Sequence, residues 1–176
     1  MNWISGDGPG NIAKAINDEF KLDLSLPLDR AGLADGLFKI SGLWDDSRLK
    51  DPVTGVTRPI SNVRDRDITF TYQQDIRAWN SSLTLAFNPA AWSQPTYRIA
   101  QISEVRLLTP YLELDWDYKP RPDLDIQVQA DNFIPYHIEI EQDNYGGPRN
   151  LSPLSQVLDV HNVSEPRLYL QLRKSF

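Results

Sequence analysis

The chain contains no cysteine, which removes disulfide scaffolds, thiolate nucleophiles and cysteine-based zinc sites. It also has no run near the roughly 18 to 20 consecutive apolar residues that a membrane helix needs, since polar residues interrupt every few positions. Helical spans are thereby excluded, whereas β-barrels are not. Positive charge is scarce: 18 Lys and Arg stand against 24 Asp and Glu, a formal net charge of -6. The basic residues are scattered rather than striped along one face, which argues against a nucleic-acid partner. Histidine is almost missing. His137 and His161 have neither the i, i+4 nor the cysteine-partnered spacing of a metal site, so neither a metal nor any other cofactor is expected. Glu139 and Glu141, two apart on one strand face, read as solvated loop charges rather than a catalytic carboxylate pair, because such pairs usually come from different strands. The start, Met1-Asn2-Trp3-Ile4-Ser5-Gly6-Asp7, shows neither the basic nor the apolar region of a secretion signal. Gly6-Asp7-Gly8-Pro9-Gly10 lacks the last glycine of a dinucleotide loop, and its proline removes an amide that a phosphate needs.

What is abundant is strand and turn chemistry. Thirteen Pro and nine Gly punctuate a chain carrying 5 Trp, 7 Tyr and 6 Phe, a composition of strands joined by turns. Period-two alternation dominates. Phe20, Leu22, Leu24, Leu26 and Leu28 alternate with Lys21, Asp23, Ser25, Pro27 and Asp29, which places large apolar groups on one side of a strand. Leu112, Leu114, Trp116 and Tyr118 alternate with acidic residues, as do Leu124, Ile126, Val128 and Ala130 with Asp and Gln. Leu168, Leu170, Leu172 and Phe176 close the chain. The only helical candidate is Asn11 to Phe20, where Ile12, Ala13, Ala15 and Ile16 form a short, poorly capped stripe. No repeat or composition break marks a second domain. The chain is therefore one region, 1–176, with 1–18 poorly defined and 19–176 β-strand.

Connector lengths sharpen the picture. Short turns are expected near Ala31 to Gly36, at Arg77 to Asn80 and at Pro120 to Asp123. Longer polar loops are expected at Lys50 to Arg66, around Pro89 to Pro95 and at Gln142 to Pro153. With Thr96 to Tyr118 and Leu154 to Phe176 each taken as one long, locally bulged strand, short and long connectors alternate strictly, the pattern of a transmembrane barrel. That requires a phase slip near Pro110 and a break near Pro166. The fold expected is all-β, an antiparallel meander of about seven long strands forming the C-terminal portion of a transmembrane β-barrel. Leu112, Leu114, Trp116, Tyr118, Leu124, Ile126 and Val128 are its candidate lipid-facing residues, and outer-membrane lipid is the implied partner. Aromatics near strand ends, among them Trp44, Trp79, Trp92 and Tyr111, suit an interfacial girdle. Alternation alone equally permits a soluble or small self-closing β-barrel binding an apolar ligand inside.

Several segments resemble one family. The ending Arg167-Leu168-Tyr169-Leu170-Gln171-Leu172-Arg173-Lys174-Ser175-Phe176 looks like the C-terminal assembly signal of bacterial outer-membrane barrels, with Leu168, Leu170, Leu172 and Phe176 as its apolar set. Asp51-Pro52-Val53-Thr54-Gly55, Arg58-Pro59-Ile60-Ser61, Tyr118-Lys119-Pro120-Arg121-Pro122-Asp123-Leu124, Ala130-Asp131-Asn132-Phe133 and Tyr145-Gly146-Gly147-Pro148-Arg149 resemble, in that order, segments from the last third of a TonB-dependent receptor barrel. The likeness spans roughly residues 20 to 176. It implies residence in the bacterial outer membrane, recognition by the barrel-assembly machinery and no enzyme activity. The function implied is uptake of a scarce extracellular solute, a siderophore or other metal chelate, cobalamin or a glycan. The family's signal peptide, TonB-contacting box and plug have no counterpart in this sequence. The chain is thus expected to be a C-terminal piece whose contact with TonB runs only through a missing N-terminal region.

Overall fold

A computed structural model describes residues 14–89 and 91–175. Among these residues twelve strands are formed: β1 (Ala15–Pro27), β2 (Gly36–Lys50), β3 (Thr57–Arg58), β4 (Arg66–Ile76), β5 (Ser81–Asn88), β6 (Trp92–Tyr97), β7 (Gln101–Leu107), β8 (Tyr111–Arg121), β9 (Leu124–Asp131), β10 (Tyr136–Tyr145), β11 (Leu154–Ser164) and β12 (Arg167–Lys174). The large sheet has the order β1-β2-β4-β5-β8-β9-β12, with β3 beside β2, and the small sheet has the order β11-β10-β7-β6. Every pairing is antiparallel.

The two sheets are parts of one meander. β5 runs on into β6, β7 into β8, β9 into β10 and β11 into β12, and neighbours pair on both sides of each interruption: β5 with β8 and β6 with β7, then β8 with β9 and β7 with β10, then β9 with β12 and β10 with β11. Seven long passages of chain result. Each of the four interruptions carries a proline, Pro89, Pro110, Pro135 or Pro166, which removes an amide donor from the ladder. Single bonds tether the strands across the gap, from Leu108 N–H to the His137 carbonyl at 2.9 Å and from Phe133 N–H to the Leu112 carbonyl at 3.1 Å. Residues 61–65 carry the third passage upward beside β6. Asn62 N–H donates to the Pro95 carbonyl at 2.8 Å, and Asp65 N–H donates to the Ser93 carbonyl at 3.1 Å.

The breaks near Pro110 and Pro166 fall where alternation places them, but the backbone slips elsewhere. Across the Pro110 break the register holds: Leu85 faces Leu114 and Trp92 faces Leu107, seven residues along each strand. The extra residue lies between β9 and β10, where Ala130 faces Leu114 and Ile138 faces Leu107. Asn132 sits there at φ 56°, a left-handed conformation that Asn tolerates.

Other expectations are corrected. The helix at Asn11 to Phe20 is not formed: Ala15 to Phe20 belong to β1, which pairs with β2 over its whole length, so ladder bonds override a weak local stripe. Asn11 to Ala13 and the Gly6–Gly10 turn lie outside the described residues. Strand structure begins at Ala15 rather than at residue 19. Pro89 to Pro95 is no loop, since Trp92–Tyr97 form β6, and the hairpin turns instead at 98–100. The strand expected from Thr96 to Tyr118 accordingly begins at Gln101, and strict short-long alternation fails at this connector. The loop placed at Gln142 to Pro153 is shorter, because Gln142 to Tyr145 extend β10. The turn placed at Pro120 to Asp123 narrows to Pro122-Asp123. Glu139 and Glu141 are strand residues, not loop charges.

Candidate functional site

Pairing register assembles the sequence-predicted apolar residues into one surface. Leu26, Phe38, Tyr72, Leu85, Leu114, Ala130 and Leu168 are successive register partners across all seven passages. The rows beside it hold Leu83, Trp116, Val128 and Leu170, then Tyr118, Ile126 and Leu172. Leu24, Ile40, Phe70, Phe87 and Leu112 form the row on the other side. Leu124 continues the β9 set, so the candidate residues on β8, β9 and β12 share one face. Phe176 lies outside the described residues. On the opposite face, Gln73, Thr84, Asp115, Gln129 and Tyr169 form a largely polar row.

Among the described residues this apolar surface is not enclosed in a core. Among the described residues only Leu49, Leu107 and Ala130 are buried apolar residues, while Phe20 is 60% and Leu168 74% exposed. Aromatic rings consolidate it, with Phe20 and Trp44 centroids 5.5 Å apart, Phe38 on Phe70 at 6.1 Å and Trp116 on Tyr118 at 5.5 Å. Gly42 makes room for one of them: a Cβ there meets the Trp44 ring at 2.6 Å.

Past the interruptions the chemistry of the two faces is exchanged. The side continuous with the polar face of the large sheet now carries Trp92, Val105, Leu107, Ile138, Ile140 and Val160. The side continuous with the apolar face carries Glu104, Arg106, Glu139, Glu141, Asp159 and His161. Where the polar face meets the new apolar one, a cavity of about 640 Å³ opens, with Arg64, Asp67, Trp92, Tyr111, Glu113 and Asp131 among its walls. Arg64 stacks over the Trp92 ring at 4.2 Å and pairs with Asp67 at 3.2 Å.

The loops at this end are locked by one carboxylate. Asp51 directly follows β2 and folds an Asx turn, its Oδ1 accepting from Val53 N–H at 2.7 Å and Thr54 N–H at 3.2 Å. Its Oδ2 accepts from Arg58 Nε at 2.7 Å and from the Arg149 guanidinium at 2.6 Å. Arg149 also donates from Nε to the Arg98 carbonyl at 2.7 Å, and Arg58 stacks on Tyr97 at 4.4 Å. Three connections thus meet at a buried ion cluster. Burial pushes the Asp51 carboxyl up, but the donors from Arg149, Val53, Arg58 and Thr54 outweigh it and hold the group down at about 2.

The cluster escapes sequence reasoning although both loops are visible as loops, because Asp51 and Arg149 meet only through the meander. His161 and Asp159 had a weaker signal, an i, i+2 spacing that places both on one strand face. In comparisons with models of known families, with curated proteins and with solved structures, nothing matches the chain.

Proposed function

We propose that this chain is part of the wall of a transmembrane β-barrel in a bacterial outer membrane, belonging to a receptor of the TonB-dependent type. The observation that carries the reading is the apolar row from Leu26 to Leu168, which crosses seven passages and, among the described residues, is not enclosed in a core, with Leu26 42% and Leu168 74% exposed. A soluble sandwich or ligand-binding barrel turns such faces inward and buries them. A lipid-facing wall leaves them open to the bilayer, opposite a polar lumen. The charged face past the interruptions suits strands that leave the hydrocarbon and enter water, and the Asp51 cluster suits an outer crown of ordered loops.

The receptor type rests on the resemblance of the loop and turn segments and of the final strand. Its function is uptake of a scarce solute, a siderophore or other metal chelate, cobalamin or a glycan, with energy reaching it through TonB by way of other parts of the parent protein. The chain's own role is that of a wall and not of an enzyme. Single cysteines test the orientation in the lipid-embedded protein. At Leu114, Trp116, Leu124 and Ile126 they are expected to react with membrane-dissolved thiol reagents and resist water-soluble ones, with Asp115 and Gln127 behaving oppositely. Protection of the apolar positions from both reagents indicates a protein core and overturns the reading.

A further inference from the structure

We propose that Glu139, Asp159 and His161 bind a divalent transition-metal ion, of which zinc is the best fit, on the charged face of the small sheet. Asp159 and His161 stand two apart on β11, and Glu139 of β10 is the direct register partner of His161. One ligand atom from each of the three lies within 4.8 Å of the others. His161 Nε2 is 3.3 Å from Asp159 Oδ1 and 4.0 Å from Glu139 Oε1. Ligands bound to zinc at about 2.0 to 2.2 Å stand roughly 3.3 Å apart in tetrahedral geometry, so small side-chain rotations close the set and leave one position to water.

The surroundings orient the ligands. Glu104 faces Glu141 across β7 and β10, and Glu141 faces Asp159 across β10 and β11, a row of like charges that is unfavourable without a counter-ion. Arg106 answers one end of it, pairing with Glu104 at 2.5 Å and Glu141 at 3.2 Å. It also holds Glu139 by Oε2 at 3.6 Å, which leaves Oε1 directed at His161. A ligating carboxylate whose second oxygen is held by a neighbouring side chain, as Arg106 holds Glu139, is how such ligands are typically oriented. The imidazole separates this group from an ordinary acidic surface, because nitrogen ligands favour zinc or cobalt over magnesium and calcium. β11 is the edge strand of the small sheet, and the ion staples it to β10. The inference does not depend on the membrane reading.

Cobalt tests it, since its visible absorption reports coordination by nitrogen and oxygen. The full 176-residue chain in mild detergent is titrated with Co²⁺ and then with Zn²⁺ or Ca²⁺. A saturable band displaced by Zn²⁺ but not by equal Ca²⁺ is expected. His161→Gln and Asp159→Asn should each weaken binding on the order of tenfold or more, with strand content by circular dichroism unchanged. His137→Gln, on the same face but outside the set, should bind as the parent does. No band, a band retained in His161→Gln, or displacement by Ca²⁺ as effective as by Zn²⁺ overturns the site.

Discussion

Asp51 and Arg149 are 98 residues apart and joined at 2.6 Å, with side chains 1% and 5% exposed. Removing one partner of a buried pair leaves the other charge uncompensated. Asp51→Asn should therefore cost about 3 kcal/mol and expose the loops around 51–65 and 146–153. Hydrogen exchange at the Val53, Thr54 and Leu151 amides reads this directly. Unchanged protection would show that the loops hold without the cluster.

The same carboxylate sets a pH dependence. Its pKa is held at about 2 against 3.8 for the free group, so its contribution is fully present above about pH 4 and disappears as pH falls through 2. The contribution is on the order of 2 kcal/mol. Loop protection should fall between about pH 4 and pH 2 in the parent, whereas Asp51→Asn should show a flatter profile.

Leu114 and Asp115 are neighbours on β8 that face opposite ways. Leu114→Lys should cost about 2 to 4 kcal/mol near a bilayer midplane, while Asp115→Lys should change little. Denaturant unfolding of the lipid-embedded protein measures both. Equal costs would contradict a lipid-facing row at Leu114.

Asn132, at φ 56° and 7% exposed, donates from Nδ2 to Ser164 Oγ at 2.8 Å. Asn132→Ala loses both the bond and the tolerance of left-handed backbone, at a cost of about 1 to 3 kcal/mol. Asn132→Gly, which restores the backbone but not the bond, should recover part of that loss in thermal unfolding.

Alternation made the large sheet legible because one face of it is uniformly apolar: Leu112 to Tyr118 and Leu124 to Ala130 need no tertiary knowledge to be placed on one side. The small sheet was harder to read because its apolar residues change sides. Trp92, Leu107 and Ile138 share a face that is polar in the large sheet, and β6 is only six residues long with a proline at position 95, so it reads as loop. β1 was obscured at its start by Ala15 and Ile16, whose strand state depends on pairing with Leu49 and Arg48. The Asp51 cluster and the Glu139–His161 pairing are products of register, which no single segment encodes.

The final strand tests the outer-membrane reading from another direction. Leu168, Leu170 and Leu172 are 74%, 65% and 64% exposed on β12, one face ready for lipid or for recognition. If Phe176 contributes only buried surface, deleting it costs about 1.5 to 3 kcal/mol, which a large barrel survives. As part of an assembly address its loss should strongly lower the outer-membrane level of the parent protein, with Lys174→Ala nearly silent. Equal, mild effects from both changes would reduce the terminal residue to packing.

The edges of the sheet govern whether the chain closes alone. β1 and β12 are the first and seventh strands of an antiparallel order, so they run in the same direction, and among the described residues each pairs on one side only. Joining them would create a parallel seam, and a second copy in the same orientation presents the same parallel match. An antiparallel wall is completed only by an odd number of further strands between β12 and β1. Left unpaired in lipid, each backbone N–H or C=O on those edges costs several kcal/mol, which opposes closure of these seven strands into a barrel of their own. The chain refolded alone into detergent should therefore migrate identically on a gel before and after boiling in SDS. A compact form that resists SDS until boiled would mean that the edges do meet, and would favour a small self-closing barrel over a piece of a larger wall.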